Sequence, residues 1–133
     1  MKTFTYDPQY MKFTMGDLLY EKCREQGLTN EQVISYSSIS RAVFYDILKD
    51  VRRMTPQSAI RLSGVIGFDG IEWIMYQAWN DYVEEKTISR LQEEGYARID
   101  AKDYYFRNRK SIMRNTAQNG INDAPMGNNR TTW

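Results

Sequence analysis

The sequence predicts an all-α protein: a five-helix bundle, then a C-terminal helical extension and a flexible tail. Three observations carry this. Leu28–Arg53, LTNEQVISYSSISRAVFYDILKDVRR, reads as two short helices joined by a tight turn. Thr55-Pro56 is a strong helix start, with Thr as cap and Pro at the first helical position, ahead of the stripe Ala59, Leu62, Val65, Ile66. A third apolar run opens after Asp69 with Ile71, Trp73 and Ile74 and continues through Val83, Ile88 and Leu91 toward Gly95.

In order, Met1–Phe13 is aromatic and Thr-containing, and reads as an N-terminal arm, either a short strand or an extended segment, with a turn at Asp7-Pro8. Thr14 caps the first helix, whose inward stripe is Leu18, Leu19 and Cys23, and Gly27 ends it. Thr29 caps a helix to about Tyr36, Ser37-Ser38-Ile39 forms the turn, and Ser40 caps a helix to about Lys49. On that helix Phe44, Ile47 and Leu48 face inward, whereas Arg41, Ala42, Tyr45, Asp46 and Lys49 share the opposite face. Such an outward face is the one that enters the DNA major groove in a DNA-binding helix-turn-helix. Asp50–Met54 is a loop, the Thr55 helix stops near Gly67, and the helix from Gly70 is long enough that its second half needs a partner, either the chain's own tail or another subunit. The bundle with its long final helix therefore spans residues 14–95. Residues 96–114 form a basic, aromatic extension, a helix in which Ile99, Tyr105 or Phe106, and Ile112 pack. Residues 115–133, rich in Asn, Gly and Thr, read as a disordered or loose tail.

Composition narrows the function. With 41% hydrophobic and 26% charged residues the chain should fold. The net charge of +1 hides an asymmetry: seven basic and three acidic residues follow Ala97, leaving +4 there and −3 in the remainder. There is no histidine, which removes the commonest general base and the commonest metal ligand. No Gly-rich phosphate loop, cysteine cluster or nucleophile elbow is present, so neither an enzyme nor a cofactor or metal is expected. A single cysteine, Cys23, cannot form an internal disulfide and fits a reducing compartment. With no signal peptide and no membrane-spanning run, a cytoplasmic location is expected.

Residues Gly16–Gln77 resemble the HigA-like antitoxin family, within the wider class of Cro- and repressor-like helix-turn-helix proteins. The resemblance rests on GDLLYEKC, LTNEQV followed by ISRAVFYDIL, RRMTPQSAIRLSGVIG, and WIMYQ with Trp73 and Gln77, at family-like spacing and without gaps. It implies a repressor-like bundle that dimerises on double-stranded DNA, represses its own operon, and holds a toxin protein. On this reading Arg41 forks onto a guanine, Ala42 touches a thymine methyl and Asp46 accepts from a cytosine amine, with Ser40, Val43 and Tyr45 beside them. Asn30, Gln32, Lys49, Arg52 and Arg53 grip the backbone. The −3 body suits a basic toxin.

The chain departs from the family at several positions. Met15 replaces a Pro, Ile34 a small Ala, Ser37-Ser38 an apolar residue then Gly, and Lys49-Asp50 an Asn-Gly pair. Ser38 is thus expected to carry a positive φ. Ala42 and Val43 stand where small polar residues are usual. These departures support a second reading, a degenerate helix-turn-helix kept as a protein-interaction module without specific DNA reading. Trp79, Tyr82, Val83, Tyr104 and Tyr105 are the residues expected at a dimer or partner contact. The interleaved Tyr104–Lys110 stretch suits either nucleic-acid stacking or a packed helix with a basic outer face.

Overall fold

The computed structural model describes residues 7–123, with side chains as far as residue 118. Among the described residues all regular structure is helical: α1 (Pro8–Met11), α2 (Met15–Glu25), α3 (Asn30–Ser37), α4 (Arg41–Leu48), α5 (Pro56–Ser63), α6 (Gly70–Glu93), α7 (Arg98–Arg107) and α8 (Arg109–Asp123). None of these helices is long and apolar enough to cross a membrane. The chain divides into two units. Thr14–Trp79 makes the body of one, and Asp7–Phe13 with the stretch from Asn80 onward makes the other. The division falls inside α6, not at Gly95.

In the first unit, four helices begin on a hydroxyl. Thr14, Thr29, Ser40 and Thr55 accept from the backbone N–H of Asp17, Gln32, Val43 and Ser58 at 3.1–3.2 Å. Each cap satisfies one amide that the helix itself leaves free, about 1 kcal/mol apiece. Gln32 returns its side chain to the Thr29 N–H at 2.9 Å and completes a capping box. Gly27, at φ +70°, closes α2 in a Schellman motif, with Leu28 N–H donating to the Cys23 carbonyl at 3.0 Å and Gly27 N–H to that of Arg24 at 3.0 Å.

The core of this unit is the inward stripes. Leu18, Leu19, Val33, Phe44, Ile47, Ala59, Leu62, Ile66 and Trp73 are fully buried, and each larger side chain contributes about 1.5–3 kcal/mol on leaving water. Phe68 meets Trp73 edge-on at 4.9 Å and stacks on Tyr76 at 5.4 Å, and the Lys22 ammonium lies 4.3 Å from the Phe68 ring centre. α5 ends at Ser63, short of Gly67, and Val65 and Ile66 leave the helix in a turn in which both amides donate to the Leu62 carbonyl. Gln77 accepts from the Met54 N–H at 2.8 Å, pinning the loop before α5 onto α6. Burial also pushes the Cys23 thiol up to about 11, so it stays protonated near neutrality.

α2 packs on α4, and its start is tied to the end of α4 by one residue. Asp50 accepts from the Gly16 N–H at 2.7 Å and from the Thr14 hydroxyl at 2.8 Å. Asp50 itself sits at φ +64° in the Schellman closure of α4, where Val51 N–H donates to the Asp46 carbonyl at 2.9 Å and Asp50 N–H to that of Ile47 at 3.0 Å. Gly16 makes the approach feasible: a Cβ there would stand 2.2 Å from the Leu48 carbonyl oxygen.

In the second unit, Met11, Val83, Ile88, Leu91, Ala101, Tyr105, Met113 and Ala117 are buried. α8 packs on α1 and on α7. Arg98 grips the Glu85 carboxylate with both terminal nitrogens, at 2.8 and 3.0 Å, and holds the start of α7 beside α6. Here the structure corrects several expectations. The segment expected to be a strand or extended arm contains α1, capped by the Asp7 carboxylate, which accepts from the Gln9 N–H at 3.1 Å. Residues 96–114 form two helices, not one. Asn108 breaks them, its side chain donating to the Tyr104 carbonyl at 2.9 Å while its own carbonyl starts α8 by accepting from Ile112. Ile99 is 77% exposed, and Tyr105, not Phe106, is the buried member of its pair. Residues 115–123, expected to be loose, continue α8, because Met113 and Ala117 share a buried face. The remaining parts of the arm and tail expectations, residues 1–6 and 124–133, lie outside the described residues.

The Gly16–Asp50 joint makes an ordered stability prediction. Gly16→Ala should cost about 3 kcal/mol or more, since backbone must move. Asp50→Ala should cost about 3 kcal/mol or more, through two lost bonds to a charged acceptor, with alanine still in left-handed geometry. Asp50→Gly should be milder than Asp50→Ala by about 1 kcal/mol, because it removes only the bonds. Urea midpoints at constant m-value give the order, and an Asp50→Gly variant less stable than Asp50→Ala contradicts it.

Candidate nucleic-acid interface

The turn between α3 and α4 decides what α4 shows to solvent. Ser38 stands at φ 59°, the left-handed conformation expected where a glycine would be usual. Two bonds secure it. Ser37, buried, accepts from the Ile39 N–H at 3.3 Å, and Arg61 of α5 donates to the Ser38 carbonyl at 3.1 Å. Ile39 is buried at the turn, and Ser40 starts α4 at once. With Phe44 and Ile47 buried below, the opposite face of α4 must point outward. Ser40, Arg41, Ala42 and Lys49 are exposed, and Val43, Tyr45 and Asp46 are half-buried.

This face is not free of partners. Arg41 Nη1 donates to Glu31 Oε2, and the Tyr45 hydroxyl donates to the same oxygen at 3.0 Å. Two donors one helical turn apart on α4 thus converge on one carboxylate of α3. Farther along, Arg52 Nη2 donates to Asp46 Oδ2 at 3.1 Å. Both residues expected to read bases by charge or hydrogen bonding therefore hold an opposite charge from the chain itself. The pairs are solvent-exposed, with side-chain exposures of 64% and 53% for Arg41 and Glu31 and 47% and 38% for Arg52 and Asp46. Water and salt compete for such pairs, so they bias side-chain direction without locking it. The Arg41 bond first, and the Tyr45 bond second, hold the Glu31 carboxyl below the usual carboxylate range.

The other expected site residues fall in three groups. Asn30 and Gln32 lie in the first turn of α3, beside Glu31, with Gln32 engaged in the capping box. Arg52 and Arg53 are exposed on the loop after α4. Among the residues expected at a partner contact, Tyr82 and Tyr104 are exposed and Trp79 is half-buried. Val83 and Tyr105 are corrections. They are 1% and 2% exposed within the chain, so they serve as its own core and offer nothing to a partner. The second half of α6 thus finds partners in its own chain. Glu31 and Arg61 are the residues that sequence reasoning missed on this face. Glu31's signal was its first-turn position in α3, which places its carboxylate beside the opening of α4.

No protein-family model, curated protein or solved structure matches this chain.

Two measurements follow from the geometry. The carboxyl carbon of Glu31, followed by NMR, should titrate below an ordinary glutamate and move back up in Arg41→Ala. Because the folded value is lowered, the pair's contribution is present above the unfolded glutamate range and is lost as pH falls through the lowered value. An unmoved midpoint in Arg41→Ala contradicts the pairing. Ser38→Gly should raise stability by about 0.5–1 kcal/mol in denaturant unfolding, since it relieves left-handed strain and keeps the Arg61 bond to the backbone. A loss of stability would show that the serine is not strained there.

Proposed function

We propose that the protein binds double-stranded DNA as a homodimer, with α3, the turn at Ser38 and α4 acting as a helix-turn-helix, and represses transcription. The observation that carries this reading is the outward first turn of α4, where Ser40, Arg41 and Ala42 stand exposed above a face anchored by Phe44 and Ile47. A capped helix start with short side chains at Ser40 and Ala42 can lie deep in the major groove. Thr29, Asn30, Gln32, Lys49, Arg52 and Arg53 flank it with the donors and cations that phosphates take. A homodimer sets its two α4 helices about 34–36 Å apart, one turn of duplex. The resemblance to HigA-like antitoxins extends the proposal to a second activity, holding a toxin protein whose operon the dimer represses.

One observation favours a different reading. Arg41 and Asp46 are already paired with Glu31 and Arg52, so DNA must displace bonds the protein has made for itself. A protein-interaction module that keeps the fold and no longer reads bases needs no such exchange.

A gel-shift separates the two. A duplex from upstream of the protein's own gene should be retarded in excess competitor DNA, and a scrambled duplex of equal length should not. Ala42→Glu, which sets a carboxylate against the groove on an exposed position, should weaken that retardation about tenfold or more. Equal, salt-labile binding to both duplexes, or none, favours the interaction module.

A further inference from the structure

We infer that Arg41 and Tyr45 form a clamp for a single phosphodiester oxygen, and that Glu31 occupies the clamp in the free protein. The inference rests on the DNA-binding reading and changes the part Arg41 plays in it, from base reader to backbone anchor.

The geometry is that of an anion site with its anion supplied internally. A guanidinium N–H and a phenol O–H, four residues apart on α4, point at the same atom, Glu31 Oε2. A base edge such as guanine offers two acceptors side by side to one guanidinium and has no use for a hydroxyl from the next helical turn. A phosphate oxygen accepts several donors at once, as a carboxylate oxygen does here. The surroundings are compatible. The site lies at the opening of α3, where the Thr29 hydroxyl oxygen and the Gln32 amide oxygen accept from backbone N–H groups, so that the Thr29 O–H and the Gln32 NH2 remain as donors of the kind a phosphate takes.

The exchange is also affordable. The Glu31–Arg41 pair is exposed, and exposed pairs are worth little once water and salt compete. A duplex presents phosphates in a dense row, and each contact gains from counterion release. The carboxylate gives way to the phosphate, moves aside, and keeps a negative charge close to the backbone. Glu31 therefore weakens binding to any duplex by about the same factor, whatever its sequence.

The test is a mutant cycle read by gel-shift or fluorescence anisotropy over a salt series, with the own-gene duplex and a scrambled one. Glu31→Gln should bind both duplexes about two- to fivefold more tightly at ~0.15 M salt, with the ratio between them unchanged. Its log K against log salt slope should steepen, by at most about 0.9, because Arg41 then meets the phosphate without first releasing a carboxylate that takes up a counterion of its own. The gain should vanish in Glu31→Gln/Arg41→Ala and shrink in Glu31→Gln/Tyr45→Phe. Glu21→Gln, which removes the same charge from the Arg24 pair on α2, should leave binding as it was, so net charge alone does not mimic the effect. Thermal melts confirm that each variant folds. The inference is overturned if Glu31→Gln binds no tighter, if its gain survives without Arg41, or if Arg41→Ala collapses the ratio between the duplexes in place of lowering both affinities. The underlying reading fails separately. A wild-type protein that does not distinguish the duplexes, with the Glu31 and Arg41 pattern intact, removes the regulator and leaves the clamp; discrimination without that pattern does the reverse; and no binding by any variant removes both.

Discussion

The carboxylate of Asp50 is the constraint on which the first unit of the protein depends. It joins the start of α2 to the end of α4 through Gly16 N–H and the Thr14 hydroxyl. Asp50 carries two duties at once. It takes the left-handed conformation that closes α4, and it accepts the hydrogen bonds that open α2. A glycine would do only the first. The conformation costs a non-glycine residue about 1–2 kcal/mol, whereas each bond to a charged acceptor is worth about 1.5–3 kcal/mol. The aspartate therefore wins, provided that position 16 has no side chain in the way. With its C-terminal end fastened in this manner and Phe44 and Ile47 fully buried, α4 has little freedom to rotate, and its opening turn is directed outward.

The turn at Ser38 repeats the trade on a smaller scale. A non-glycine residue again occupies left-handed space, and again the surrounding bonds are what hold it. Ser37 Oγ serves the Ile39 amide inside the turn, and Arg61 reaches over from α5 to the Ser38 carbonyl. A serine at this left-handed position thus exchanges conformational ease for the hydrogen bonds around it. The exchange is less favourable than at Asp50, because the neutral Ile39–Ser37 bond nets only about 0.5–1.5 kcal/mol, and the bond from charged Arg61 goes to a backbone carbonyl that a glycine at position 38 would offer equally.

What the sequence revealed and what it hid divide along the range of the interaction. The caps at Thr14, Thr29, Ser40 and Thr55 were legible because an oxygen three residues from its amide needs no knowledge of the fold. The buried stripes Leu18-Leu19, Phe44-Ile47 and Ala59-Leu62 were legible from spacing alone. Asp50 was read only as a loop residue, because its partners are 34 and 36 residues away and depend on how α2 meets α4. The Glu31–Arg41 pair spans only ten residues, yet it too depends on the angle that the Ser38 turn imposes. α1 is one helical turn and shows no period to read. α8 was masked by Asn and Gly in its second half, and its buried face is short, Met113 and Ala117 in the described stretch. Val83 and Tyr105 were assigned to a partner because a long α6 needed cover, and the cover was already in the chain.

The charge on the α4 face has a consequence of its own. A surface built to grip any polyanion leaves its cations unpaired, so that long-range attraction does the work. Here Arg41 and Arg52 each face a carboxylate, and the whole chain carries only +1. Little attraction remains at a distance beyond the Debye length of about 8 Å at physiological salt. On the proposed DNA-binding reading, such a face would engage a duplex only at contact, where an exposed carboxylate and a phosphate compete for the same donors. Affinity is then set by how well the groove fits the short side chains at Ser40 and Ala42, since the electrostatic gain at one arginine is largely offset by the partner it must release. A compensated face of this kind lowers affinity for every duplex by about the same factor, so the ratio between a well-fitted site and random duplex rests on fit, the term that the internal carboxylates do not cancel.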